Sequence, residues 1–295
     1  MEYQNFKSDV LATGIDDDDT SATLSSGNFT AFTDGYLVFD YDNPTKREII
    51  RCSVSGTAVT SMTRAQEGTS ATSHAAGAKI IWALHTAHLN QLADGWILAN
   101  ESWSYASATT ITVPSGATSK YAVGDKIKIT QTTVKYFYIT AVASTTLTVT
   151  GGSDYTVANA PITDNYYSRA VSPVGFPQWF NWTPTWGGFS PNPTATCRFN
   201  IFGRKVNFYI STTAAGTSSA TTTSFTLPIA ASTNMQISAG SIIIFAYDDT
   251  GGSQNISRGL FGTTSRIDCY LTAALGNWTN GGAKYVQVPV TSYEI

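Results

Sequence analysis

Short runs that alternate apolar and polar residues, each about strand length and each ended by turn-forming residues, recur through most of the chain and leave few folds open. Residues 34–65 contain Gly35-Tyr-Leu-Val-Phe-Asp-Tyr, the turn Asp42-Asn-Pro-Thr, then Arg47-Glu-Ile-Ile-Arg-Cys-Ser-Val. After Ser55-Gly56 follows Thr57-Ala-Val-Thr-Ser-Met-Thr. A period of two places alternate side chains on opposite faces of a strand, and the intervening turn residues reverse the chain tightly, so these segments read as β-hairpins. A similar unit returns over residues 136–150, and each unit has a Gly-x-Lys-Ile strand nearby, beginning at Gly77 and Gly124. From residue 183 six more strand patterns follow, starting at Cys197, Lys205, Ser224, Ser241, Arg266 and Tyr285, with long polar loops over 212–223, 247–257 and 274–284. Regular strands with turns between them are the pattern of a sandwich or jelly roll.

Composition agrees. Ser and Thr supply about a quarter of the residues and charged residues only 13%, which suits β-sheets rather than helices. The one helix candidate is 85–101, where His85, Leu89, Leu92, Trp96 and Ala99 follow a 4, 3, 4, 3 spacing. It reads either as a connecting helix packed on its neighbour or as a parallel trimer seam, with Gly95 weakening the latter. At 295 residues the chain can hold several small cores. The expectation is an all-β protein: an N-terminal β-domain over 1–84, a linking helix over 85–103, a small middle β-domain over 104–175, and a jelly-roll-like C-terminal β-sandwich over 176–295. Six tryptophans, Trp82, Trp96, Trp103, Trp179, Trp182 and Trp186, cluster at the joints, either locking domains together or simply edging their cores.

The net charge of −3 lacks the basic excess that nucleic acid or an anionic membrane would demand. Acidity concentrates in residues 1–101, with 13 acids against 6 bases. Cys52, Cys197 and Cys269 are odd in number and widely spaced, which points to buried thiols rather than a disulfide framework or zinc site. The amino terminus lacks an apolar signal-like stretch, and no window approaches ~18 apolar residues. The expectation is a soluble chain with no membrane insertion.

Residues that could carry chemistry are sparse. His85 and His88 share a helical face but lack the glutamate and third ligand of a helical zinc site. The run Asp16-Asp-Asp-Asp19 reads as a solvated turn, a Ca²⁺ site or a patch facing a basic surface, although it lacks the alternation and glycine of an EF-hand loop. Asp248, Asp249 and Asp268 are the distal acidic candidates, and read as loop and turn residues rather than a glycosidase pair. The expectation is a non-enzymatic protein without cofactor or metal. Sugar binding is better served, because an aromatic ring can stack on the C–H face of a sugar while polar neighbours bind its hydroxyls. Trp278, flanked by Asn277, Thr279 and Asn280, is the first candidate for such a contact, and Tyr247 with Asp248 the second. The other reading of Trp278, a core or trimer-interface plug, is slightly favoured by the residues.

In the segment starting at Met62, Arg64, Glu67 and His74 could staple a loop whose turns use Gly68 and Gly77, with Thr69 and Ser70 closing local hydrogen bonds. Its pattern, Arg-x-x-Glu-Gly-Thr-x-Ala-x-x-His-x-x-Gly after a hairpin, resembles one found in bacteriophage tail and virion proteins. The segment Asn181-Trp-Thr-Pro-Thr-Trp-Gly-Gly-Phe-Ser-Pro, with Gly203-Arg-Lys-Val and Phe225-Thr-Leu-Pro-Ile-Ala-Ala, resembles the C-terminal β-domain of phage fibres and head fibres. The middle section is less specifically similar to phage linker domains. The resemblance implies a homotrimer on the surface of a virion, anchored to other virion proteins by its N-terminal part, with a distal C-terminal domain that binds a host cell-surface glycan. The alternative is a head fibre, decoration or collar protein with a purely structural role.

Overall fold

The computed structural model describes residues 7–82, 93–234, 240–248 and 255–295. The chain is all-β and divides into two compact units, residues 1–94 and 95–295.

The first unit is a six-stranded antiparallel sheet. Its strands run in the spatial order Ser8–Val10, Lys79–Ile81, Phe32–Phe39, Glu48–Ser55, Ala58–Gln66 and Ala22–Thr23. The central meander is the pair of hairpins expected from the alternation. Gly56, at φ 58°, makes the second reversal, a backbone region that glycine enters without steric cost. Along Glu48–Ser55 the residues Glu48, Ile50, Cys52 and Val54 face inward, and the last three join a core with Leu37, Phe39, Val59 and Ile80.

The second unit holds two sheets. One has seven strands, ordered Ile97–Leu98, Thr163–Ser168, Lys126–Gln131, Thr133–Ala143, Thr146–Thr150, Thr110–Thr112 and Ser104–Ser107. The other has ten strands and runs from Phe180–Asn181 through Thr194–Phe202, Lys205–Ala214, Ala283–Glu294, Ser241–Asp248, Asn255–Thr263, Arg266–Cys269 and Thr223–Thr226 to Trp186–Gly187. Gly216–Thr217 pairs off this path with the Ala283 strand. The large sheet curls over its own core, because Phe225 near one end lies 6.3 Å from Phe208 and 6.5 Å from Trp182 near the other. Pro289 sits where the Ala283–Glu294 strand loses register with its neighbour, a position suited to a residue with no N–H to donate.

One aromatic seam joins the two sheets. Tyr138 packs edge-on against Phe176 at 5.0 Å and Phe180 at 5.4 Å, and Phe180 also meets Phe199 at 6.0 Å. Backbones close in beside these rings: a Cβ on Gly124 would lie 1.9 Å from the Gly203 carbonyl oxygen, and one on Gly152 would lie 2.0 Å from that of Asn181. Asp154 then accepts from the Asn181 N–H and side-chain amide, both at 2.8 Å. The segments expected as separate middle and C-terminal domains therefore share a core.

The helix candidate falls partly on residues 83–92, so His85, His88, Leu89 and Leu92 lie outside the described residues. Beyond Asp94 it is not helical. The chain leaves the helix after Asp94, Gly95 takes φ 71°, and Ile97–Leu98 pairs with Tyr166 and Tyr167. Trp96 is drawn into the seam, its indole N–H donating to the Val174 carbonyl at 2.8 Å, while Ala99 enters the core of the seven-stranded sheet.

Candidate binding surfaces

The loop carrying the N-terminal motif is held from inside by one buried carboxylate. Glu48 accepts from Arg64 Nε at 2.9 Å and Nη2 at 2.8 Å, from the Ala65 N–H at 2.9 Å, from the Thr72 N–H at 3.2 Å, and from His74 Nε2 at 3.0 Å. His74 Nδ1 meets Asp40 at 2.7 Å, and its ring packs beside Phe39. Arg64 also donates to the carbonyls of Thr72 and Asp16, at 2.7 and 2.6 Å. Burial alone would push the Glu48 carboxyl up, but the donors from Arg64, Ala65, His74 and Thr72 outweigh it and hold the group below the usual glutamate range.

The expected staple exists with a different acid at its centre. Glu67 is exposed at a turn with φ 55°, and Glu48 takes the role assigned to it. Gly68 and Gly77 adopt φ 77° and 85° as expected. Thr69 donates its hydroxyl to the Gln66 carbonyl at 2.7 Å and accepts the Ile49 N–H at 3.1 Å. The signal for Glu48 was present in the sequence: it has the same parity as Ile50, Cys52 and Val54, so the strand must turn it inward. The Asp16–Asp19 run is a turn, with the Asp16 N–H donating to the Asp19 carboxylate at 2.8 Å and the Asp16 carbonyl held by Arg64. Among the described residues no group of three or more His, Cys, Asp or Glu side chains is placed to hold a metal ion.

In the second unit Trp278 is only 2% exposed and donates its indole N–H to the Cys269 carbonyl at 3.0 Å. It is a core residue, and no ligand ring can stack on it. Asn277, Thr279 and Asn280 around it are exposed. Asp248 is turned to internal use as well. It accepts from the Thr279 hydroxyl at 2.8 Å and N–H at 3.1 Å, and forms an ion pair with the fully buried Lys284. Burial opposes ionisation of Asp248, but the bonds from Lys284 and Thr279 outweigh it and hold its carboxyl below the usual range. Tyr247 is half-buried, edge-on to Tyr285 at 5.9 Å. All three cysteines are buried thiols, and burial raises those of Cys52 and Cys197 to about 12.

Two surface features stand out in the second unit. The outward face of the Ser241–Asp248 and Asn255–Thr263 strands leaves Ile243 58% and Ile256 67% exposed. Phe245, directly across from Ile256, and the Tyr247–Tyr285 pair share this face. At the end of the sheet a cleft of about 330 Å³ opens between Gly187–Gly188, Thr222–Ser224 and the Arg266–Tyr270 segment. Within it Asp268 accepts from Arg266 Nε at 2.7 Å and Nη2 at 3.3 Å.

The alternation pattern missed the neighbouring strand, Asn255–Thr263, because glycines interrupt it. Those glycines are close-approach positions. A Cβ on Gly259 would lie 2.6 Å from Ile267, and one on Gly262 would lie 2.1 Å from the Asp268 carboxylate. No family model, curated protein or solved structure matches this chain.

Proposed function

We propose that this chain is a non-enzymatic structural subunit of a bacteriophage particle, a homotrimeric fibre anchored to the virion by its first unit and binding a host-surface glycan through its second. The observation supporting recognition is the outward sheet face of the second unit, where Ile243 and Ile256 stand exposed beside partly exposed aromatic rings. Large exposed apolar side chains grouped on one face mark interaction surfaces. The aromatic seam holds that face on a rigid two-sheet body, so three copies would present fixed, repeated contacts whose avidity exceeds that of one weak site.

The test is adsorption of the purified full chain to bacteria that the parent phage infects, with competition against the phage. Binding that blocks infection is expected. A chain that ignores the cells but rebinds particles stripped of it would instead support a head-fibre, decoration or collar role. That second reading draws on the inward commitment of Trp278 and Asp248, which removes the stacking ring and the carboxylate expected for a receptor contact. Turnover of host polysaccharide, lost in Asp268→Ala, would overturn the non-enzymatic reading, and sedimentation as a monomer would overturn the trimer.

A further inference from the structure

We infer that the cleft at the end of the ten-stranded sheet is a binding site for a neutral saccharide ring, with Tyr270 as the stacking surface and the Asp268–Arg266 pair as hydroxyl partner. The inference rests on the adhesion reading and gives its ligand a place and a chemistry.

The construction begins with backbone. Gly187 pairs with Ser224, and Ser224 pairs with Asp268 across the next strand, so all three contribute to one outward row. The edge strand brings no side chains to this row. A Cβ on Gly187 would lie 2.4 Å from the Ser224 hydroxyl, and one on Gly188 would lie 2.1 Å from the Thr222 carbonyl oxygen. The edge can therefore sit close while leaving the space above it open. The resulting volume of about 330 Å³ lies at the lower end of small-molecule sites, the size for one sugar ring.

Polar groups are held in place within that space. Arg266 grips Asp268 through Nε and Nη2, which orients the carboxylate plane, and Gly262 leaves room for it. An ionised carboxylate only accepts hydrogen bonds and has about four lone-pair positions, whereas a guanidinium only donates. Two donors from Arg266 leave the carboxylate with acceptor capacity, and Arg266 Nη1 has no hydrogen-bond partner among the described residues. A vicinal diol matches this pair, since each hydroxyl can donate to the carboxylate while accepting from a donor beside it. The two charges cancel, so the site favours neither an anionic nor a cationic sugar. Tyr270 is half-buried where it lines the cleft, and such a ring suits the C–H face of a hexose.

The test uses the full chain with glucose, galactose, mannose and N-acetylglucosamine as probes, read by saturation-transfer NMR and calorimetry. At least one of these sugars should bind, with a Kd on the order of millimolar. Tyr270→Ala and Asp268→Asn should each weaken it roughly tenfold, the usual consequence of losing one stacking contact or one charge-assisted bond. Ala220 also lines the cleft, and Ala220→Trp, which fills it, should abolish binding and leave the thermal midpoint unchanged. If Asp268→Asn disturbs folding, Tyr270→Ala and Ala220→Trp decide the matter. The inference is overturned if none of the four sugars binds, or if galacturonate or glucosamine binds in their place. Cell adsorption that survives both Tyr270→Ala and Ala220→Trp overturns the cleft and leaves adhesion standing. A chain that binds neither cells nor sugars loses both readings.

Discussion

Around Glu48 the first unit gathers the Arg64 guanidinium, the His74 ring and two backbone N–H groups to fix one loop, while around Phe180 the second unit joins whole sheets through packed rings. The chain has few charges, and it places some of the most buried ones where an irregular segment must take a single shape. Hydrogen bonds to a buried carboxylate are directional and strongly coupled, so the arrangement is held or lost as a whole. Ring packing is less directional and tolerates change by degrees. Asp248 and Lys284 repeat the first device on a smaller scale inside the second unit, pinning the loop that carries Trp278.

The largest effect is expected from Glu48→Ala. It leaves Arg64 and His74 without their shared partner and should destabilise the first unit by about 3–5 kcal/mol, as removing one member of a buried ion pair does. Calorimetry should show a lowered first transition, and hydrogen exchange should show lost protection over residues 64–74. A loss below about 1 kcal/mol would mean that the network is incidental. Asp248→Ala should cost about 3 kcal/mol by the same reasoning, because Lys284 remains buried without its counterion. Its readout is hydrogen exchange over residues 274–284, where protection should be lost as the loop opens.

Phe180→Leu removes part of one ring from the seam and should cost only about 1–2 kcal/mol. Cooperative unfolding of residues 95–295 should survive it. Two separate transitions in that variant would show that the sheets are joined far more weakly than their shared core implies.

The smallest effect is expected from mild acidification. Glu48 has a depressed folded value, so its stabilisation is present above the ordinary glutamate pKa of about 4.3 and is lost as the pH falls through the folded value. In the second unit Glu101 and Asp248 act in the same direction, but burial raises Asp125, which favours the fold as it protonates. A pH series of thermal midpoints should therefore fall for the first unit as the pH drops through the Glu48 value, while in the second unit Asp125 offsets part of the fall.

Much of the architecture was legible because alternation and turn residues are local signals. The hairpins over residues 34–65 and 136–150, and the strands beginning near Cys197, Lys205, Ser241 and Tyr285, stand where the alternation places them. Asn255–Thr263 was hidden because Gly259 and Gly262 interrupt the apolar pattern, and their role is to admit Ile267 and Asp268 from a neighbouring strand. Local spacing also drew the helix through Trp96, whereas the left-handed Gly95 ends it and the indole is claimed by Tyr136 and Phe176.

The candidate sites divide in the same way. Arg64, His74, Gly68 and Gly77 were legible as a loop motif, and the inward parity of Glu48 and Lys284 could have been read too. Which carboxylate meets Arg64, whether Trp278 faces a ligand or the core, and that Ser224, Asp268 and Gly187 share one row depend on pairings between distant segments. The strands, their faces and the tight turns are set locally, because they follow from the period of side chains and the φ that glycine permits. Tertiary structure alone decided the partners of the buried charges and the position of the cleft, because desolvation and register are properties of the assembled sheets.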